Sequence, residues 1–219
     1  MIFVNYKAYE EGTGQKAIGL TKLLEDVVRE TQVKIIPVVQ AADVKEIVSG
    51  TTLEVWTQKI DPYEAGAHTG AIVAEAVLED GASGTFLNHS EAKFAGFDDL
   101  ARASDRAKSV GLKTLVFAAN IEELKNVCSL NPNFVSYEPP ELIGSTETSV
   151  AQAKPEIVKE AAEAASAAGI PLIVGAGVHS REDVKKCLEL GAVGVAVASD
   201  ILKAEDPKKE ILNLIEGFK

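Results

Sequence analysis

The chain has 219 residues, 46% of them hydrophobic and 25% charged, enough to bury one sizeable core and unlike a disordered or fibrous composition. Lys plus Arg number 22 against 33 Asp plus Glu, a formal net charge of −11, which excludes the broad basic face of a general nucleic-acid binder but permits a locally positive anion site. No apolar run approaches the roughly 18 residues of a membrane span, and Met1–Val4 leads straight into Asn5-Tyr6-Lys7 without the basic start or cleavage site of a secretory leader, so a cytoplasmic chain with no membrane partner is expected.

Short β-branched apolar runs alternate with longer amphipathic stretches. The first run is Ile2–Val4, followed by a helix predicted over Gly14–Glu30. Val33–Val39 predicts the second strand, Ala41–Val48 fills the next gap, and Leu53–Trp56 predicts the third strand. A helix over Gly70–Glu79 leads to the fourth run, Gly84–Leu87, and Asp98–Val110 to the fifth, Lys113–Phe117. Ile121–Leu130 is helical, with Asn120 as its N-cap, and precedes Phe134–Tyr137. Pro155–Ala168 starts on a proline suited to a first turn; Pro171–Val174, a helix over Arg181–Leu190 capped by Ser180, Val193–Val197 and a helix over Pro207–Gly217 complete the series. Gly81, Gly111, Gly169 and Gly191 each stand where a helix should stop. Cys128 and Cys187 fall in separate helical stretches, which argues for packing roles rather than a disulfide or a metal site.

Strands that read as continuous apolar runs are buried on both faces, as parallel strands are. An open doubly wound sheet is the rival arrangement. Eight regular strand–helix units without an inserted domain favour a closed (β/α)8 barrel, a single domain over 1–219.

In such a barrel the chemistry gathers on the loops that follow the strands. Those loops carry Asn5-Tyr6-Lys7, Asn88-His89-Ser90-Glu91, Glu138 with Pro139–Gly144, Gly175-Ala176-Gly177-Val178 and Ala198-Ser199-Asp200. One cation, one imidazole, one carboxylate and two small-residue turns able to cradle a phosphate thus converge on one face. Glu138 ends an apolar run and is followed at once by two prolines, which forbid strand continuation and hold it extended. GAGV at Gly175–Val178 lacks the third glycine of a dinucleotide fingerprint.

In these residues the chain resembles the triosephosphate isomerases of the short archaeal type. The matching motifs are VNYK at the first strand end, GAHTG at Gly66–Gly70, NHSE at Asn88–Glu91, YEPPELIG at Tyr137–Gly144, GAGV, and VAS at Val197–Ser199. The resemblance implies a cofactor-free and metal-free isomerase that interconverts dihydroxyacetone phosphate and glyceraldehyde 3-phosphate through an enediolate, in glycolysis and gluconeogenesis. It implies Glu138 as the base, His89 as the electrophile at the carbonyl, and Lys7 with Asn5 holding charge and substrate. Glu91 matches the acid that pairs with the lysine. Asn5, Tyr6, Lys7, Ile143, Gly144, Gly177, Ala198 and Ser199 would bind the substrate and its phosphate, with Pro139–Ser145 as the lid. Thr69 would reach a neighbouring subunit's site, which implies a homo-oligomer, dimer or tetramer, the tetramer favoured. A carboxylate with apolar neighbours and little water is a stronger base than one in water, which gives Glu138 a chemical reason for its place.

Three departures stand out. Ser145-Thr146-Glu147 replaces the family's Thr-Gly in the lid, Asp200 stands where Gly or Ala is usual, and Phe117 replaces a Cys beside the base. Asp200 is expected to N-cap the turn after Ser199 and compete with phosphate for its N–H groups. His68 and His179 are read as structural, and Glu141, on the lid, is less suited to be a base than Glu138. A Schiff-base aldolase using Lys7 and a non-catalytic member of the fold are the other readings; the intact set of Asn5, Lys7, His89 and Glu138 counts against both.

Overall fold

A computed structural model describes residues 1–138 and 153–219. Among them eight parallel strands close into a barrel in chain order: β1 (Ile2–Asn5), β2 (Ile35–Val39), β3 (Trp56–Thr57), β4 (Gly84–Leu87), β5 (Lys113–Ala118), β6 (Phe134–Tyr137), β7 (Leu172–Val174) and β8 (Gly194–Val197). β8 pairs back onto β1, with Ile2 opposite Val195, so the sheet has no free edge. The outer layer holds α1 (Gly14–Thr31), α2 (Val44–Ser49), α3 (Ala74–Glu79), α4 (Phe97–Val110), α5 (Ile121–Cys128), α6 (Pro155–Ala167), α7 (Arg181–Glu189), α8 (Ser199–Leu202) and α9 (Pro207–Glu216). The chain is a (β/α)8 barrel, as its pattern of runs predicts.

Local chemistry explains several boundaries. Ser180 caps α7 in a capping box with Asp183, and Asn120 accepts from the Glu123 N–H at the start of α5. α4 stops at Gly111, whose φ of 91° favours glycine. Three expected elements differ: the third strand, expected over Leu53–Trp56, is Trp56–Thr57. α3 starts at Ala74 rather than Gly70, because Asp61 holds Ile72 in a loop, accepting its N–H at 2.8 Å on Oδ2. The stretch after β2 divides into a 3₁₀ turn over Ala41–Asp43 and then α2.

The period-two alternation of the strands separates two cores. Phe3, Ile36, Val38, Trp56, Phe86, Leu115, Phe117 and Ile173 fill the barrel, and the Phe3 ring meets Trp56, Phe86 and Phe134 at 5.1, 5.8 and 5.7 Å between centroids. Ile2, Val4, Ile35, Val39, Val135 and Val174 face outward and pack beneath the helices. Trp56 fits because its neighbour on β4 is Gly84, where a β-carbon would lie 2.4 Å from the indole.

At the opposite end from the strand C-termini, Glu54 accepts from Trp56 Nε1 at 3.0 Å, Lys34 at 2.5 Å and Lys113 at 2.9 Å. Burial raises the Glu54 pKa, but these bonds outweigh it and bring it down to about 2. This ionic cluster reads as a fastening of the barrel floor. Interior alternation continues past the strands at the other end: Phe3 and Asn5, Phe134 and Glu138, and Ile173 and Gly175 share the inward parity.

Candidate active site

That parity delivers three of the predicted residues to one recess. Asn5, Lys7, His89, Glu138, Gly177 and Ser199 all line it, together with Phe117, His179 and Asp200.

Asn5 ends β1, and its Oδ1 accepts the Lys7 N–H at 3.0 Å. That bond supports Lys7 in a left-handed backbone with φ of 48°, a conformation uncommon outside glycine. The Lys7 carbonyl accepts from Gln58 Nε2 at 2.9 Å, which ties the loop to the end of β3. Lys7 Nζ lies 2.7 Å from Glu91 Oε1, the pairing that the family resemblance implies.

Tyr6 goes elsewhere. It is fully buried in the outer core, and its hydroxyl meets Thr21 Oγ1 on α1 at 2.8 Å. Burial pushes its phenol pKa well up, with Thr21 opposing. The expectation that Tyr6 binds substrate is therefore corrected: residues 5 and 7 face the barrel axis, and residue 6 faces the helix layer.

His89 reaches the recess by a different route. Alternation from Phe86 would put Asn88 inward. Instead Asn88 takes a left-handed φ of 61°, and its Nδ2 donates outward to the Phe117 carbonyl at 3.0 Å and Glu123 Oε1 at 2.8 Å. The turn hands the inward place to His89. Its Nδ1 accepts the Glu91 N–H at 3.1 Å, so a neutral ring carries its proton on Nε2. Burial lowers the His89 pKa to about 4, with Glu91 raising and Lys7 lowering it further. The ring is therefore neutral at pH 7. Phe117 packs edge-on against it at 4.9 Å. The departure at this strand end is a packing change beside the histidine.

Glu138 follows β6, its N–H donating to the Ala118 carbonyl at 2.9 Å. It is 8% exposed and its Oε2 lies 3.7 Å from His89 Nε2. That is too long for a hydrogen bond, yet both groups can address adjacent atoms of one small ligand. Burial pushes its carboxyl up to about 8, Lys7 pulling it back and Glu91 adding to the rise.

Beyond β7 and β8 the turns at Gly177 (φ of 64°) and Ala198-Ser199 complete the wall. Asp200 is another correction. It lies inside α8, whose N-cap is Ala198 with no side-chain cap, and Asp200 Oδ1 meets His179 Nδ1 at 2.6 Å. The carboxylate is diverted sideways because an imidazole lies within reach. His179, expected to be structural, is thus a pocket residue. Its only signal was its position just after the GAGV turn.

Thr69 does not join this recess; it lies in an exposed loop where Tyr63 stacks on His68 at 4.3 Å. Ile143, Gly144 and the lid over Pro139–Ser145, with Ser145-Thr146-Glu147, lie outside the described residues. Among the described residues no cluster of His, Cys, Asp or Glu could hold a metal ion, and no helix is long and apolar enough to cross a membrane. Cys128 and Cys187 are both free and buried, and burial pushes the Cys187 thiol up to about 12.

The sequence profile of the family described as Triosephosphate isomerase matches residues 1–217. The chain is 41% identical over 217 residues to a triosephosphate isomerase of Methanobacterium bryantii, covering 98% of this chain and 95% of that one. Identity to the Metallosphaera sedula triosephosphate isomerase is 38% over 218 residues, covering 99% and 95%. To that of Methanocaldococcus jannaschii it is 37% over 218 residues, covering 99% of each chain. With its closed barrel and a match along nearly its whole length, the chain belongs to the triosephosphate isomerase family.

Proposed function

We propose that Glu138 and His89 carry the proton chemistry of a triosephosphate isomerase in this chain, interconverting dihydroxyacetone phosphate and D-glyceraldehyde 3-phosphate as an intramolecular aldose–ketose isomerase. The observation that supports it is the facing of the two groups: a buried carboxylate 3.7 Å from the protonated Nε2 of a neutral imidazole. Glu138, ionised, takes a proton from C1 of dihydroxyacetone phosphate as the C2 carbonyl oxygen gains negative charge. His89 Nε2–H donates a hydrogen bond to that oxygen. The carbon proton is then returned to C2 while the hydroxyl proton moves from O1 to O2, giving the aldehyde and restoring the carboxylate.

Lys7, fixed by Asn5 and paired with Glu91, supplies positive charge for the enediolate and the phosphate. An ammonium held at 2.7 Å from a carboxylate suits charge compensation rather than attack on a carbonyl, which tells against a Schiff-base aldolase. Gly177, Ala198 and Ser199 bind the phosphate, aided by Ile143 and Gly144 of the lid. The reaction as written uses no cofactor. The exposed loop with Thr69 and the Tyr63–His68 stack serves assembly into a homo-oligomer, a tetramer in preference to a dimer, acting in the cytoplasm.

A coupled isomerase assay on Glu138→Gln tests the central assignment. Turnover should fall at least a thousandfold with the fold retained, since the amide cannot take a proton; turnover within tenfold of the native chain would remove Glu138 from the role. Light scattering on the eluting protein separates dimer from tetramer.

A further inference from the structure

Two side chains in the recess have no part in the proton transfer. His179 and Asp200 line it alongside Gly177 and Ser199, and their side chains meet at 2.6 Å between Nδ1 and Oδ1. A carboxylate can only accept, so the imidazole donates from Nδ1. The backbone of His179 is anchored independently: its N–H donates to Asp183 Oδ2 at 3.1 Å, within the α7 capping box. The ring is thus presented to Asp200 from a fixed turn.

Asp200 introduces a negative charge into a wall that has to accept a dianion. Among the described residues, no acceptor meets the backbone N–H of Gly177 or Ser199. A carboxylate free to turn toward those N–H groups would occupy them and repel the phosphate. The bond to His179 draws it aside.

We propose that His179 is a positioning residue of the phosphate pocket: by holding the Asp200 carboxylate it keeps that charge off the Gly177 and Ser199 donors, and so sets the affinity for the phosphate end of the substrate. The proposal rests on the reading of this recess as a triose phosphate site. It makes His179 and Asp200 a matched pair, in which Asp200 without His179 is worse than both or neither.

Calorimetric titration with inorganic phosphate tests it on the native chain, His179→Ala, His179→Gln and the double variant His179→Ala/Asp200→Ala, with melting temperatures as a check on folding. His179→Ala should weaken phosphate binding about tenfold, the size of one uncovered charge near the site. His179→Gln should stay within about threefold of native, because its amide N–H can still reach Asp200. The double variant should recover to within about threefold as well, because the opposing charge is gone. Equal weakening in His179→Ala and the double variant, or no weakening in His179→Ala, would overturn the pairing. Phosphate binding needs no turnover, so an inactive chain that shows the expected pattern would sink the isomerase assignment and leave the pair standing.

Discussion

The Glu138 carboxylate lies directly against Gly175: a β-carbon on Gly175 would fall 2.1 Å from Oε1, 2.9 Å from Cδ and 3.1 Å from Cγ. β6 and β7 are neighbours in the barrel, and the two residues follow them with the same inward parity. The missing side chain on β7 is the space in which the acid is held. Gly175→Ala should therefore displace the carboxylate by an ångström or more and reduce kcat about a hundredfold. Crowding should also lower stability by about 1–3 kcal/mol. Steady-state kinetics with a thermal melt reads both, and native kcat in Gly175→Ala would show that the close packing has no catalytic consequence.

Burial sets the pH behaviour of the same carboxylate. With its pKa raised from 4.5 to about 8, Glu138 in the unliganded chain gives up its proton only under mildly alkaline conditions. Because the base must be ionised, kcat/KM should fall as pH drops through that value, about tenfold per unit below it. His89, brought down to about 4, stays neutral across this range and adds no limb of its own there. The substrate phosphate titrates near pH 6, so the profile is best repeated with phosphate-free glyceraldehyde. An acid limb at the ordinary carboxylate value in that experiment would show that Glu138 is not held in an apolar setting.

Stability should carry the same signature. The folded-state pKa of Glu138 lies above the unfolded value, so the folded chain binds more protons between pH 4.5 and about 8. Stability contributed by this group is then fully present below pH 4.5 and lost as pH rises toward 8. Glu138→Gln, which cannot ionise, should gain melting temperature relative to the native chain as pH rises through that window. A constant difference between pH 5 and pH 9 would contradict the shift.

The barrel was legible because its strands are apolar on both faces: Gly84–Leu87 and Phe134–Tyr137 were delimited to the residue. Asn5 and Glu138 are legible because each follows directly on an apolar run, where alternation carries a polar side chain to the axis; Lys7 is placed instead by a turn with φ of 48° that its bond to Asn5 supports. Tyr6 was misread because a motif does not say which of its residues face inward; parity does, and it sends the phenol to Thr21. Asp200 was misread because a cap is a local rule, whereas its imidazole partner is 21 residues away. α3 was read too long because the hold of Asp61 on Ile72 spans a loop that sequence periodicity does not register.

His89 reaches its place only because Asn88 turns the chain, and that turn can be tested. Asn88 tolerates φ of 61° better than most residues, and its amide bonds to Phe117 and Glu123 pin it there. Glu123 is itself anchored by the Ala119 N–H at 2.7 Å and Lys93 at 3.0 Å, and these bonds with that from Asn88 lower its pKa against the opposing effect of burial. Asn88→Ala loses both the backbone tolerance and the bonds, and should cost about 2–4 kcal/mol. Asn88→Gly keeps the tolerance and loses only the bonds, so it should cost about 1–2 kcal/mol. If the turn serves His89, kcat should fall further in Asn88→Ala than in Asn88→Gly, with His89 no longer held opposite Glu138. Chemical denaturation together with kinetics on both variants checks the order. Equal kcat in the two, at unequal stability, would mean that the left-handed turn supports the fold and not the imidazole.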